Sequence, residues 1–256
     1  AKEEFSTELE ELVKTQKKVM VWLNDPAHNP TGLSMSEQGR IACLETFVDS
    51  ALNNENVGHT LLIDSAYSLY ADEPFAWADT ILNEIENGMM WPDNLLICVA
   101  VSLSKSHTIY GLRTGALVSM HPEKEVTDRL DTVMSVTGRQ TWSATPRVAQ
   151  FCVSEMHSSE EGGKAWSDER DRLKDLLDNR RNILNSECEK LGVSINPTMD
   201  GFFAWIESSD PIAVAEKCAE NDVFLVPLNG GVRIGLCALP TDSIPKVAMA
   251  LSKAMS

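Results

Sequence analysis

The sequence predicts an α/β fold with a mostly parallel sheet, followed by a smaller α+β domain. Four short apolar runs, each bounded by polar or turn residues, have the length and composition of strands buried inside a sheet. A stretch with apolar residues at helical spacing, residues 36–53, separates the first two runs. Strands that alternate with helices favour a parallel sheet. The four runs are Val19–Leu23, Leu61–Ile63, Leu95–Val101 and Ala116–Met120.

The character of the chain changes near Thr145, where longer helical patterns replace the short apolar runs. We therefore predict two domains, residues 1–145 as an α/β domain and residues 146–256 as a small α+β domain. The second part is predicted to contain helices over 145–157 and 163–191, a strand over 201–207, a helix over 212–221, a strand over 230–239 and a helix over 243–255.

Composition and net charge indicate which classes of binding partner are not expected for this chain. The 256 residues are 43% hydrophobic, which is enough for a sizeable core, and 38 acidic against 22 basic residues give a formal charge of −16. This balance argues against binding to nucleic acid or to an anionic membrane surface, because both require a basic patch. No apolar segment approaches the ~20 residues that span a bilayer. We expect a cytoplasmic protein with neither nucleic acid nor membrane as a partner.

Cysteines and histidines give no sign of a metal centre. The six cysteines are far apart and form no C-x-x-C pair, and several lie in apolar runs such as LLICVAV and RIGLCAL. Buried free thiols in a reducing compartment are therefore expected, instead of disulfides or a zinc site. The five histidines show no ligand spacing of the H-E-x-x-H type, so no metal is predicted.

Polar residues gather after three of the predicted strands, where ligands bind in open α/β sheets. Each cluster alone has an ordinary explanation: N-P-T-G is a good turn, an aspartate can cap a helix, and a lysine among serines is usually solvated. Their occurrence at successive strand ends points to one ligand site. The clusters are Asn24–Gly32, Asp64–Tyr67 and Ser102–Lys105, the last followed by Gly111–Gly115.

These motifs resemble a known family. The pattern A-H-N-P-T-G, then D-S-A-Y, then S-x-S-K-x-x-x-x-x-G-x-R-x-G is similar to class I aminotransferases of fold type I, which depend on pyridoxal 5′-phosphate (PLP). The segment GGVRIGLCALP resembles the C-terminal arginine motif of that family. The residues of A-H-N-P-T-G and D-S-A-Y are most similar to the aspartate and aromatic amino-acid branch. The resemblance covers nearly the whole chain and implies that residues 1–145 are the C-terminal part of a large PLP-binding α/β domain and residues 146–256 the small C-terminal domain.

The resemblance implies a role for each residue that would face the cofactor ring. Lys105 would form the Schiff base with the cofactor aldehyde and later move the proton at the substrate α-carbon. Asp64 would pair with the pyridine nitrogen, which strengthens the cofactor as an electron sink. Asn29 and the Tyr67 hydroxyl would hydrogen-bond the phenolic oxygen of the ring.

The phosphate site is implied by the segment around Lys105. Ser102 and Arg113 would bind the phosphate, since a guanidinium fork suits phosphate oxygens, and Ser104 is a weaker candidate for the same role. Gly111 and Gly115 would let the backbone turn closely around the site.

Two further arginines are expected to bind substrate carboxylates. Arg233 would bind the α-carboxylate, and a structural salt bridge is the alternative for an arginine in an apolar strand. Arg139, in GRQTWSATP, resembles the arginine that reaches across the family's dimer to the distal carboxylate of the substrate, while surface charge at a helix end is the alternative. Asn29 is also expected at the substrate, and His28 is either a supporting partner or a structural histidine.

The function implied is PLP-dependent transamination between aspartate, glutamate or an aromatic amino acid and a 2-oxo acid such as 2-oxoglutarate, by a ping-pong route. Homodimerisation is implied as well, because active sites of the family are shared between subunits. The chain is expected to lack the family's first part, with its N-terminal phosphate-binding loop. Two alternatives stay open: a carbon–sulfur lyase or aminocyclopropane-carboxylate synthase on the same scaffold, and a catalytically inactive fragment.

Overall fold

A computed structural model describes residues 2–256 of the chain. The chain divides into two compact units, and each unit is assembled from several stretches of sequence. Unit 1 contains residues 2–25, 35–66 and 75–162, and unit 2 contains residues 26–34, 67–74 and 163–256. Two short segments from the first half of the sequence thus belong to the unit that the second half mainly forms.

Unit 1 contains a four-stranded sheet with strands β1 (Lys18–Asn24), β2 (Gly58–Asp64), β3 (Leu95–Ser102) and β4 (Gly115–Met120). The strands are adjacent in the order β1-β2-β3-β4. The first three are parallel, and β4 is antiparallel to β3. The prediction of four strands in a mostly parallel sheet is confirmed.

Six helices belong to unit 1: α1 (Lys2–Thr15), α2 (Glu37–Asn53), α3 (Ala76–Glu86), α4 (Leu103–Ser106), α5 (Lys124–Thr141) and α6 (Arg147–Met156). The predicted helices over 36–53 and 145–157 are confirmed as α2 and α6. α2 begins after Ser36, whose hydroxyl accepts a hydrogen bond from the Gly39 N–H at 3.1 Å, a cap that contributes about 1 kcal/mol. Its Leu44 and Phe47 are fully buried in a core shared with α1, α3 and the sheet.

Unit 2 contains a three-stranded antiparallel sheet with strands β5 (Phe203–Glu207), β6 (Val226–Leu228) and β7 (Gly231–Gly235), in the order β5-β7-β6. Its helices are α7 (Glu160–Lys190), which belongs to unit 2 from Gly163 onward, α8 (Pro211–Ala219) and α9 (Ile244–Met255). Fully buried side chains from these elements form its core, among them Leu184, Ile206, Ile234 and Leu251.

The predicted strand over 230–239 is shorter than expected. β7 ends at Gly235, which pairs with Phe203, the first residue of β5, so the hydrogen-bonded ladder has no partner strand beyond that point. A 3-10 turn, Leu236–Ala238, follows. Cys237 lies in this turn and is exposed, which corrects the expectation that it is buried.

The predicted domain boundary at 145/146 stays a prediction. In the second half of the chain, unit 1 ends at residue 162 and unit 2 begins at residue 163. In the first half, residues 26–34 and 67–74 already belong to unit 2. Within residues 2–256, no helix is both long and apolar enough to cross a membrane.

The thiols are expected to differ strongly in reactivity. Burial raises the pKa of the Cys43 thiol to about 12, with a smaller contribution from the Asp25 carboxylate. Burial, and then Glu187, raise the pKa of Cys188 to about 11. Cys152 is exposed. Because the thiolate is the reactive form, we expect iodoacetamide at pH 8 to modify Cys152 at least about 100-fold faster than Cys43 or Cys188.

Peptide mapping by mass spectrometry after timed alkylation measures these rates. Replacing Cys152 with Ser should remove the fast phase, and alkylation in urea should make all six thiols reactive. Equal rates for Cys43 and Cys152 in the native protein would contradict the burial of Cys43.

Candidate functional site

Asp64 is the last residue of β2 and lies opposite Asn24 in the β1–β2 ladder. The Ala66 N–H donates to its Oδ1 at 3.1 Å, and the Trp22 indole N–H donates to its Oδ2 at 3.3 Å. The Asn24 side-chain amide donates to the Asp64 backbone carbonyl at 2.8 Å. Each carboxylate oxygen keeps a further lone pair, and the residue is half-buried. The carboxylate is therefore oriented and still able to accept a cationic N–H.

Lys105 follows β3, the strand that neighbours β2. β3 runs directly into the single turn of α4, which carries the half-buried Lys105. Two hydrogen bonds hold this turn, from the Leu103 N–H to the Thr114 carbonyl at 3.1 Å and from the Ser106 hydroxyl to the Ser102 carbonyl at 3.1 Å. The amine is thus attached to the carboxyl end of a strand, where ligands bind in such sheets.

Arg113 completes an anion-binding arrangement in unit 1. Its Nη1 donates to the Tyr110 carbonyl at 2.6 Å and to the buried Ser104 hydroxyl at 3.2 Å. The guanidinium carbon lies 4.7 Å from the centroid of the Tyr110 ring, which is a cation–π contact. Within residues 2–256 its hydrogen bonds come from Nη1 alone, so Nη2 and Nε can bind an anion. Tyr110 also lies 6.0 Å from the Lys105 Nζ.

The other predicted phosphate residues contribute unequally. Ser102 precedes α4, but its hydroxyl makes no capping hydrogen bond to the helix. A Cβ on Gly115 would lie 2.4 Å from the Val101 carbonyl oxygen, so this position requires glycine. A Cβ on Gly111 would have nothing within 4 Å. Close packing therefore explains the glycine at 115 and gives no reason for the one at 111.

Arg233 and Asn29, both in unit 2, are brought together although they are far apart in the sequence. Arg233 Nη1 donates to the Asn29 side-chain carbonyl at 2.9 Å. Its guanidinium carbon lies 4.4 Å from the Phe203 ring centroid. No carboxylate among residues 2–256 pairs with Arg233, so the alternative of a structural salt bridge is not observed there. The half-buried guanidinium is positioned by an amide and an aromatic ring and retains donors for a carboxylate.

The N-P-T-G segment forms a tight turn that packs closely against Phe203, the first residue of β5. The Gly32 N–H donates to the His28 carbonyl at 2.7 Å. Gly32 has a φ of +68°, and a Cβ there would lie 2.3 Å from the Phe203 carbonyl oxygen, so only glycine fits. His28 Nδ1 lies 2.8 Å from the Thr31 hydroxyl, which gives this histidine a structural role inside the turn. The Asn29–Pro30 peptide bond is cis.

Tyr67 lies in unit 2, three residues after Asp64. Its ring packs edge-on against Phe202 and Phe203, with centroid distances of 5.3 and 5.7 Å. Phe203 therefore contacts both Tyr67 and Arg233, and it links two of the predicted site residues.

Two buried charged residues hold these elements of unit 2. Asp200, 3% exposed, accepts hydrogen bonds from the Ser34 hydroxyl at 2.6 Å and from the Asp72 N–H at 3.0 Å. Arg181, 4% exposed, donates to the carbonyls of Gly201 at 2.6 Å and of Phe203 at 3.1 Å. Burial lowers the pKa of Arg181, and nearby carboxylates, Asp178 first, partly offset this effect.

Arg139 belongs to a helix that carries none of the other predicted site residues. It lies in the last turn of α5, in unit 1, and is exposed. Its side chain makes no hydrogen bond or ion pair with any other residue from 2 to 256. Its predicted role at the distal carboxylate of a substrate stays a prediction.

Sequence reasoning did not identify several residues that shape the site. Trp22 carries a usable signal, since it lies two residues before Asn24 in a strand and must therefore point to the same face of the sheet. The others act through contacts that only the folded chain creates: Tyr110, Arg181, Asp200 and Phe203.

The arrangement can perform recognisable chemistry. Unit 1 offers a primary amine that can act as a nucleophile, a carboxylate that can pair with a protonated nitrogen, and a guanidinium for an anionic group. Unit 2 offers a second guanidinium, positioned for a carboxylate.

Comparison with known proteins gives a consistent result. The family model described as "Aminotransferase class I and II" matches residues 3–251. The cytoplasmic aspartate aminotransferase of Gallus gallus is 27% identical over 260 residues, which cover 97% of this chain and 57% of that protein.

Solved structures agree. An aminotransferase from Anaerococcus prevotii superposes with a TM-score of 0.89 at 25% identity, covering 98% of this chain and 59% of the other. The aromatic-amino-acid aminotransferase of Burkholderia pseudomallei, described as covalently bound to pyridoxal phosphate, has a TM-score of 0.73 at 23% identity, covering 93% of this chain and 57% of that one. The chain thus spans less than 60% of the length of each of these proteins.

Proposed function

The chain belongs to the class I and II aminotransferases, and from this premise we propose that it catalyses PLP-dependent transamination. Its fold is the fold type I expected from the sequence. One observation carries the proposal: Lys105 lies on the single turn of α4 after β3, Arg113 hydrogen-bonds to Ser104 of that turn, and Asp64 ends the neighbouring parallel strand. An amine, a guanidinium and a carboxylate at adjacent strand ends are the groups that this cofactor requires.

The residues of unit 1 fit the cofactor. Arg113 retains Nη2 and Nε for a phosphate, and the buried Ser104 hydroxyl supports its Nη1. Asp64 keeps a lone pair on each oxygen for a pyridinium N–H. Lys105 is on the single turn of α4 and lies between Asp64 and Arg113 in the sequence. We assign the phosphate to Arg113, Ser102 and Ser104, and the ring nitrogen to Asp64.

When bound, PLP supplies an electron sink for the substrate α-carbon. Lys105 would attach the cofactor and, once the amino group of the substrate replaces it, would carry the proton to and from that carbon. Asp64 would hold a proton on the ring nitrogen. Trp22 and Ala66 would keep the Asp64 carboxylate oriented for this pairing.

For unit 2 the proposal rests on family membership together with the local contacts. We assign Asn29 and the Tyr67 hydroxyl to the phenolic oxygen of the cofactor, and Arg233 to the α-carboxylate of the substrate. The Asn29 amide and the Phe203 ring support this role by fixing the guanidinium.

We propose aspartate, glutamate or an aromatic amino acid as the donor and a 2-oxo acid such as 2-oxoglutarate as the acceptor. The names of the two relatives, one acting on aspartate and one on aromatic amino acids, support this class. Arg139 is proposed to recognise a distal carboxylate. A homodimer and a cytoplasmic location are also proposals.

The proposal is tested by adding PLP to the purified protein, recording its visible spectrum, reducing with borohydride and mapping the modified peptide. We expect one adduct, on Lys105. A distribution over many surface lysines would contradict the assignment. Donors are then assayed with 2-oxoglutarate, and release of ammonia without an acceptor would instead favour the lyase alternative.

A further inference from the structure

Two histidines of unit 1 form a close pair that the proposed reaction does not use. His107 immediately follows α4, and His157 immediately follows α6. Their Nε2 atoms are 3.1 Å apart, and the two rings are nearly perpendicular, with centroids 5.4 Å apart. The imidazoles therefore converge through the same nitrogen atom from two different helices.

This separation is close to the one that a metal ion imposes. A tetrahedral zinc ion binds imidazole nitrogen at about 2.0–2.1 Å, which places two ligand nitrogens about 3.3 Å apart. The two nitrogens share a hydrogen bond here. Loss of its proton, a rotation of the rings and a shift of a few tenths of an ångström would let both Nε2 atoms bind one ion. The other ring nitrogen of His107, Nδ1, lies 2.8 Å from the Ser106 hydroxyl. Such a contact on the far nitrogen fixes the ring orientation of metal-binding histidines.

We propose that His107 and His157 bind a divalent transition-metal ion of the imidazole-preferring class, such as Zn²⁺, Ni²⁺ or Cu²⁺. Residues 2–256 contain no group of three histidine, cysteine or acidic side chains that could hold a metal. Water therefore completes the coordination, and binding is reversible. His157 is exposed and His107 is half-buried, so an ion can enter from solvent.

The protonation state supports the proposal. Burial, and then the neighbouring His157, lower the pKa of His107. This shift favours the neutral imidazole, which is the form that binds metal.

The site has a consequence for the segment that carries Lys105. His107 is two residues beyond Lys105 and ends the same helical turn. A bound ion would link the end of α4 to the end of α6. It would thereby restrain the turn that carries Lys105, although neither histidine is assigned a contact with the cofactor.

The test is calorimetric titration of the protein with ZnCl₂ in the absence of PLP. We expect one equivalent of Zn²⁺ to bind reversibly, with the affinity weakened at least tenfold by His107→Gln and by His157→Gln. His121→Gln is the matched control, because His121 is another histidine of unit 1 that bonds a backbone carbonyl, that of Asp93. An unchanged affinity in the first two variants, or an equal loss in the control, would overturn the site.

A second measurement needs no variant and so does not depend on how the variants fold. Substoichiometric Cu²⁺ added to the unaltered protein is examined by electron paramagnetic resonance. Hyperfine structure from two equivalent imidazole nitrogens supports the pair, and coupling to one nitrogen or none contradicts it. Neither experiment measures transamination, so failure of the metal site and failure of the proposed function are distinguishable.

Discussion

Replacing Lys105 with alanine is expected to lower the rate of transamination by about 10³-fold or more, because it removes the group that moves the proton at the substrate α-carbon. Lys105 is half-buried, and its side chain fills no core position, so the fold should be retained. The measurement is the steady-state rate with an amino-acid donor and 2-oxoglutarate, together with borohydride mapping of the variant.

The matched control is Lys124→Ala, which removes an exposed lysine of unit 1 that pairs with Asp128 on the surface of α5. Its rate should equal that of the unaltered protein, since an exposed ion pair contributes little. A Lys105→Ala variant within tenfold of the parent would refute the central assignment.

Replacing Arg181 with methionine is expected to lower the free energy of unfolding by about 3 kcal/mol. The guanidinium is the donor to the carbonyls of Gly201 and Phe203 inside unit 2, and methionine would leave both without it. Because Phe203 stacks on Arg233, KM for the amino-acid substrate should also rise. Urea unfolding followed by circular dichroism gives the first quantity, and steady-state kinetics gives the second.

Arg172→Met serves as the comparison, since Arg172 lies on the same helix, α7, but is exposed and pairs only with nearby groups of that helix. Its effect should stay below about 0.5 kcal/mol. Equal destabilisation by the two substitutions would show that the buried position of Arg181 is unimportant.

The strands and the strand-end residues could be predicted because their signals are local. Short apolar runs identify β1 to β4, and the motifs around Asp64, Lys105 and Arg113 follow them directly in the sequence. Helix α5 was not among the predicted helices, and none of its residues is buried, so it adds nothing to the core. The antiparallel direction of β4 also depends on pairing that no local pattern reveals.

The hydrogen bonds that position the site residues could not be predicted, because they join residues that are far apart in the sequence. The Ser34–Asp200 hydrogen bond joins residues 166 positions apart, and the Asn29–Arg233 bond joins residues 204 positions apart. An arginine in an apolar strand is compatible with either a salt bridge or a ligand site. Only the Asn29 amide and the Phe203 ring beside it favour the second interpretation.

The segmented construction of unit 2 has a consequence for folding. Residues 26–34 and 67–74 are synthesised before residues 163–256, yet within residues 2–256 the Asp200 carboxylate accepts hydrogen bonds only from Ser34 and Asp72 of those early segments. Closing such long loops costs chain entropy before any contact compensates for it, and high contact order slows folding. A fragment starting at residue 163 would expose the buried Asp200 carboxylate without these two donors. Unit 2 should therefore mature as a late step of folding and not as an independent module.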